Sequence, residues 1–299
     1  MLTLTELVGP PELLAILSSM SYGVAQVLVR VAMRDASALA VALVLNASAA
    51  AGGLVLSLWD GTLLASTLPP LLWYLAVGVV GPGVGRIMVL LGIEKIGLSR
   101  STTIAASAPV WGTLAAMAFL GERPSILVML GTLGIVGGVV ILSPSEKKGD
   151  GNGGRWFQWS LIYPLTASIA YALPPVFSKI AYSYQATPYV GMAVAFTIGN
   201  ILLLGGTALL GRQELLAVGR RAWPWLLPAG LLSFISSLLL WTAFVSGSAS
   251  TTLPLSRLVP LWVLLLSYFC LRTLEPIGWR EAVAAALVVL GAALITAFR

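Results

Sequence analysis

The sequence predicts an all-α integral membrane protein whose ten transmembrane helices form two inverted-topology five-helix repeats around a central cavity. Three observations favour this class. Of the 299 residues 58% are hydrophobic and only 9% are charged, whereas soluble domains carry about 25% charged residues. The apolar residues form long runs, close to the roughly 20 residues that a helix needs to cross a bilayer. The chain also repeats itself at an offset of about 150 residues.

Charges and Pro or Gly clusters separate the apolar runs into ten candidate spans. The runs lack the alternation typical of barrel strands, and helices satisfy their own backbone polar groups in lipid. Spans 1 to 10 cover roughly 12–33, 37–58, 69–92, 101–120, 125–143, 158–180, 187–210, 223–245, 251–271 and 279–297. The longest break is polar and Gly-rich. We therefore expect a first five-helix repeat over 1–145, a flexible linker over 146–157 and a second repeat over 158–299.

Landmark residues recur in the same order in both halves. Tyr22 and Arg30 of span 1 correspond to Tyr171 and Lys179 of span 6. Further pairs are Trp73 with Trp225, Gly97 with Gly247, Pro109-x-Trp111 with Pro260-x-Trp262, and Gly138 with Gly291. An odd number of spans per repeat makes the second copy enter the membrane from the opposite side. Inverted repeats are a recurring plan of secondary transporters, whose substrate site lies near the midplane.

Composition excludes several classes of site. The chain has no histidine, a single cysteine (Cys270) and a dilute net charge of +6. These features disfavour metal sites, disulfide frameworks and nucleic-acid binding, and we expect no cofactor. No GxxxxGK[ST] loop occurs, so direct ATP drive is not expected.

Two other classes of function fit the sequence less well than a carrier. An intramembrane enzyme would need paired Asp, Ser with His or Lys, or a metal; only a Ser–Lys pair through Lys179 stays open. A non-transporting receptor has no need of a doubled inverted unit.

The segment from Ile93 to Leu142, which includes STTIAASAPVWGTLAAMAFLGERPS, resembles the EamA-type half-repeat of the drug/metabolite transporter superfamily. There a small-residue helix with a central Pro ends in Leu-Gly-Glu-Arg, and a Gly-rich helix follows. The second copy, Ser250 to Phe298, has LRTLEPI in place of LGERPS. The resemblance implies a ten-helix secondary carrier of the plasma or inner membrane, often an exporter, with spans 1–4 and 6–9 around the cavity. Substrates vary widely on this scaffold, so a drug or lipophilic-compound exporter is the alternative.

Arginines within spans are the first candidates for substrate binding, because an ionisable group inside a membrane is costly. Arg257 lies in span 9 between Pro254 and Pro260, and its repeat counterpart is Ala106. Arg86 follows the sequence GPGVG in span 3. Each arginine also has a possible structural role. Arg257 could bind the carbonyls that the nearby prolines leave free, and the side chain of Arg86 could extend to the membrane surface by snorkelling.

Polar stripes along helix faces supply the remaining candidates. Residues spaced i, i+4 and i+8 share one helix face. The stripes are Tyr22, Gln26 and Arg30; Tyr171, Pro175 and Lys179; and Thr103, Ser107 and Trp111. We expect Arg30 and Lys179 to be gate contacts or interfacial anchors, and Trp111 serves equally as a core residue. For Asn46 and Asn200 the sequence favours hydrogen bonds between helices. Breaks or kinks are expected at Pro82 and at Pro174-Pro175.

The charge balance within the spans favours a particular kind of substrate. The span charges are nearly all cationic, and Arg pairs bidentately with carboxylate and phosphate. We therefore expect an organic anion or a zwitterionic amino acid. Proton or counter-substrate coupling, transport direction and oligomeric state stay open.

Loop charges bear on orientation. Basic residues cluster in loops 1–2, 3–4, 5–6, 7–8 and 9–10, which predicts that both termini lie outside. Members of the family that the sequence resembles usually have both termini inside. The charge count and the resemblance therefore predict opposite orientations, and both stay open.

Overall fold

The computed structural model describes residues 9–142, 159–209, 211–270 and 279–298, and its regular structure within these ranges is helical apart from an isolated bridge between Ala36 and Val218. The predicted linker, 146–157, lies outside the described residues. The α-helices are α1 Pro11–Ala32, α2 Ala38–Trp59, α3 Leu68–Gly78, α4 Arg86–Ile96, α5 Leu98–Ala105, α6 Ala108–Leu120, α7 Ile126–Leu142, α8 Ile162–Tyr184, α9 Pro188–Leu209, α10 Trp223–Ser246, α11 Ala249–Ser256, α12 Val259–Cys270 and α13 Trp279–Ala297.

Eight helical stretches in the described part of the chain are long and apolar enough to cross a membrane. Two shorter apolar helices, Ile126–Leu142 and Val283–Ala297, correspond to predicted spans 5 and 10. Large apolar side chains such as Leu58, Phe119 and Leu231 are exposed on the outer surface. An apolar exterior of this kind suits lipid, and the chain is a multi-pass membrane protein.

Three spans are not single regular α-helices. Span 3 changes to π-helix over Val79–Gly85, a segment that contains Pro82. Spans 4 and 9 are interrupted between α5 and α6 and between α11 and α12. Because Pro109 and Pro260 have no N–H to donate to the preceding turn, a new helix starts beside each of them. In contrast, Pro174 and Pro175 lie inside the uninterrupted helix α8.

Corresponding spans of the two halves pack against each other in opposite directions. In α2 and α9, Gly53 packs against Tyr189 and Ala193, while Asn200 near the other end of α9 donates to the Leu43 carbonyl at 3.1 Å. Residue numbers thus rise along one helix as they fall along the other. The two helices are antiparallel.

The same relation holds for α7 and α13, the helices of spans 5 and 10. Gly131 packs against Gly291 and Ile295, and Gly138 packs against Ala284 and Val288. Antiparallel packing also joins α6 to α11.

Contacts between non-corresponding spans follow an exchange rule. Helix α1 of the first half packs against α10 of the second, and α8 of the second half packs against α3 and α4 of the first. Spans 1 and 6 correspond to each other, and so do spans 3 and 8. The contact between spans 1 and 8 therefore has its equivalent in the contact between spans 6 and 3. In the first pair Ser18 donates to the Ser236 carbonyl at 2.8 Å; in the other, Pro174 packs against Gly81.

Candidate functional site

Irregular backbone positions the two buried arginines. Arg86 begins α4, directly after the π-helical segment. Arg257 lies at the break between α11 and α12, where its N–H donates to the Pro254 carbonyl at 3.0 Å. At this point the C-terminal carbonyls of α11 present the negative end of the helix dipole, which favours a cation. The two guanidinium groups are near enough to interact electrostatically.

Two tyrosines join these arginines. The guanidinium carbon of Arg257 lies 5.9 Å from the centre of the Tyr171 ring, within the range of a cation–π interaction. The edge of the same ring lies against Gly85, where an added Cβ would come within 3.0 Å of Tyr171 Cε1. Tyr22 lies near enough to both arginines to interact with them electrostatically. Spans 1, 3, 6 and 9 each contribute one residue to this cluster, which we call the central site.

The central site has unused hydrogen-bond donors. The Nε atoms of Arg86 and Arg257 are buried and have no hydrogen-bond partner in the described part of the chain. The two side chains nevertheless keep part of their surface accessible. An unsatisfied buried donor costs about 1–3 kcal/mol, more when it is charged, and no described residue offsets this cost at either Nε atom.

Acidic residues do not neutralise the central site. Within the described residues, every acid whose surroundings are described lies at a helix end or in a connection: Glu12, Asp35, Asp60, Glu94, Glu122 and Glu214. One of these acids, Glu94, forms a salt bridge with Arg212, at the ends of spans 3 and 7. Hydrogen bonding to Glu94 raises the pKa of Arg212 above its ordinary value. Among the described residues, the two guanidinium groups therefore lack a counter-charge.

The third predicted stripe, Thr103, Ser107 and Trp111, has contacts other than those of the central site. Ser107 lies at the break of span 4 and donates to the Ile104 carbonyl at 2.8 Å, so it accepts the hydrogen bond of Ser168 at 2.7 Å. This contact joins span 4 to span 6. Thr103 is partly buried, and Trp111 is 39% exposed, which excludes a fully buried core position.

Amide side chains differ in their contacts. Asn200 makes the expected hydrogen bond between helices. Asn46 is buried, and its Nδ2 has no partner within the described ranges; the Oδ1 of Asn200 is also unpartnered there. Gln26 is partly buried. Within the described part of the chain, no hydrogen bond joins these amides to Arg86 or Arg257.

A second polar cluster lies at one end of the helices. Lys179 Nζ donates to the Gly247 carbonyl, at the end of α10, and interacts electrostatically with Glu122. The Glu122 carboxylate accepts the backbone N–H groups of Ala249 at 2.7 Å and Ser250 at 2.9 Å. Glu122 therefore caps α11 of the other half.

Sequence reasoning assigned Glu122 no role. The available signal was a Glu within two residues of a Pro at the end of the same span in both halves. The second such residue, Glu275, lies outside the described residues. Arg30, the counterpart of Lys179, is exposed.

Comparison with known proteins settles the family. The model of the EamA-like transporter family matches residues 10–143 and again residues 158–297. The chain belongs to the EamA-like transporter family. Two copies of the family pattern confirm the resemblance drawn from the motif, and membership makes the protein a membrane transporter rather than an enzyme.

Individual relatives of this EamA-family transporter are more distant. Phosphoenolpyruvate/phosphate translocator 3, chloroplastic, of Oryza sativa subsp. japonica is 38% identical over 66 residues, which are 22% of this chain. The matched part is 17% of the length of that relative. A protein of known crystal structure is 19% identical with a TM-score of 0.74, and the match covers 96% of each chain. At this identity the likeness shows the fold alone.

Proposed function

We propose that this EamA-family transporter is a secondary-active carrier of a small organic anion, bound at the central site and moved by alternating access. The observation that carries the proposal is the pair of partly buried span arginines, Arg86 and Arg257, with no acid beside them among the described residues. Arg86 comes from the first half and Arg257 from the second. A ligand that bridges them would bind both halves at once, as a carrier with its site between two repeats requires.

The antiparallel packing of corresponding spans supports an inverted relation between the halves. In the proposal, residues 1–145 and 158–299 are the two repeats, joined by the linker over 146–157. Because exchanging the halves exchanges their contacts, each half can adopt the conformation of the other. The site would then open to one side of the membrane and afterwards to the other.

Organic anions are favoured over amino acids and lipophilic cations. A bound amino acid also needs acceptors for its ammonium group, and no acid is described in the middle of a span. A translocator named for phosphoenolpyruvate and phosphate, both anions, shares a 66-residue match with this chain. We propose export across the plasma or inner membrane, in keeping with the resemblance.

Solute counterflow in proteoliposomes tests the function. Liposomes loaded with an unlabelled organic anion should accumulate the same labelled anion transiently when the protein is present. Arg257→Ala should abolish this accumulation, since one of the two binding cations is lost. Arg123→Ala is the matched control, because Arg123 is an exposed arginine at a helix end. Unchanged counterflow of every anion and amino acid by Arg257→Ala would rule out the central site.

A further inference from the structure

We infer that the central site selects dianions, such as a phosphate monoester or a dicarboxylate, over monoanions and zwitterions. The inference rests on the proposed function for the place where substrate binds. It adds the charge that the substrate must carry, which follows from the charge already held in the site.

Charge balance is the first step. Arg86 and Arg257 are like charges near enough to interact, and the side chains described beside them, Tyr22 and Tyr171, carry hydroxyls rather than carboxylates. Burying a charge without a counter-charge costs several kcal/mol even after the protein relaxes. A zwitterion leaves the net charge of the site unchanged, and a monoanion leaves one cation uncompensated. A dianion neutralises both.

The geometry of the cluster places both arginines beside one aromatic ring. The Tyr171 ring contacts the backbone at Gly85, next to Arg86, and its centre lies 5.9 Å from the guanidinium carbon of Arg257. Both cations therefore border on a single aromatic side chain. Arg86 and Arg257 are each only partly buried, and a planar guanidinium can bind two oxygens of a phosphate or carboxylate at once.

The two arginines are not part of the repeated scaffold. The counterpart of Arg257 is Ala106, and the stretch that corresponds to Arg86 is Ser236-Ser237-Leu238. Each half thus contributes one cation from a different span, span 3 in the first half and span 9 in the second. Binding of a doubly charged ligand accounts for both.

Ligand-induced thermal stabilisation of the purified full-length protein tests the inference, since a ligand that binds the folded state raises the unfolding temperature. Methyl phosphate and methyl sulfate share a tetrahedral shape, but only the phosphate becomes a dianion. We expect wild type to bind methyl phosphate about tenfold more tightly at pH 8 than at pH 5, because a phosphate monoester has a second pKa near 6. Methyl sulfate should bind weakly at both pH values. A second comparison, of succinate with its monoamide, tests a dicarboxylate in the same way. The dianion that raises the unfolding temperature more, methyl phosphate or succinate, identifies whether the site prefers a phosphate or a carboxylate.

Single-arginine variants test the origin of the preference. Arg86→Gln and Arg257→Gln each leave one cation, so the preference for methyl phosphate over methyl sulfate at pH 8 should fall to about twofold or less, with sulfate binding retained. Arg123→Gln should keep the wild-type preference. The pH comparison uses wild type alone and does not depend on the folding of a variant.

Two sets of results would overturn dianion selection. One is equal binding of methyl phosphate and methyl sulfate by wild type, or the absence of stabilisation by all four ligands. The other is an equal loss of both ligands in the glutamine variants, which would give the arginines a structural role. If counterflow occurs with monoanions and dianions equally well, the carrier proposal stands and dianion selection fails. Failure of counterflow with every solute would overturn the carrier itself.

Discussion

Arg257 owes its position to Pro260, three residues further along the chain. Pro260 cannot donate to the preceding turn, so α11 ends at Ser256 and the backbone at Arg257 leaves the helical ladder. Ala106 occupies the same place before Pro109 in the first half. The break therefore belongs to the repeat, whereas the cation belongs to the second copy alone. A local pattern was enough to single out Arg257.

Tyr171 should support Arg257 through its ring rather than its hydroxyl. Tyr171→Leu removes the aromatic face and should cost about 1–2 kcal/mol of interaction with the guanidinium. A higher KM for the transported anion in counterflow would report this loss. Tyr171→Phe keeps the face and is the matched control. If phenylalanine impairs transport as much as leucine, the hydroxyl rather than the ring is responsible.

Glu122 should stabilise the start of α11. Glu122→Gln removes the charge at the positive end of the helix and leaves a single oxygen for the two N–H groups of Ala249 and Ser250. We expect a loss of about 1–2 kcal/mol, seen as a lower unfolding temperature in detergent. Arg123→Gln changes the neighbouring exposed side chain and should leave the unfolding temperature near that of wild type. A stable Glu122→Gln protein would mean that water replaces the cap.

At the scale of elements, glycine and proline decide where helices approach and where they break. The π-helical segment of span 3 surrounds Pro82, and Gly81 and Gly85 within it give room to Pro174 and Tyr171 of α8. Proline by itself did not predict these outcomes, since Pro174 and Pro175 leave α8 uninterrupted. The difference lies in the neighbouring helices, which accept the changed backbone in one place and hold the regular helix in the other.

Two adjacent glycines of α7 should respond differently to the same substitution. A Cβ on Gly138 would lie 2.7 Å from the Ala284 carbonyl oxygen of α13, closer than real contacts allow, whereas a Cβ on Gly137 meets nothing within 4 Å. Gly138→Ala should therefore separate α7 from α13 and cost about 1–3 kcal/mol. Gly137→Ala should be neutral or slightly stabilising, because alanine favours helix. Thermal unfolding of both variants measures the difference, and equal unfolding temperatures would contradict the packing of spans 5 and 10.

At the scale of the whole molecule, the antiparallel pairs of corresponding spans predict an inverted topology. The connection between spans 2 and 3 should lie on the opposite side of the membrane from the connection between spans 7 and 8. Leu64 and Glu214 are exposed residues of these two connections. They provide matched positions for a test of sidedness.

Cysteine labelling in intact cells measures this sidedness. Cys270 is the single native cysteine, so Cys270→Ser gives a background without thiols. On that background, an impermeant maleimide should label one of Leu64→Cys and Glu214→Cys in intact cells and the other only after lysis. Labelling of Leu64→Cys in intact cells would agree with the basic loops lying inside. Labelling of both in intact cells would exclude inverted halves.

Local patterns predicted much of the fold and part of the site. Hydropathy gave the helices, and the recurrence of Pro109-x-Trp111 as Pro260-x-Trp262 gave the doubled unit. The spacing of Tyr22 and Tyr171 marked polar faces, and both residues lie in the central site. The same reasoning suggested Ser107 and Trp111 on a third stripe; in the structure Ser107 hydrogen-bonds to Ser168 and Trp111 is 39% exposed. Spacing along a single helix does not say which neighbour that helix meets.

By itself, the sequence determined that the chain is a helical membrane protein with a repeated unit, proline-marked irregularities and cations within its spans. Each of these follows from hydropathy or from backbone chemistry over a few adjacent residues. Only the tertiary structure decided that Arg86 and Arg257 lie near one another, and that Glu122 caps a helix of the opposite half. These relations depend on how helices far apart in the chain pack together, because packing joins residues whose separation in sequence carries no local signal.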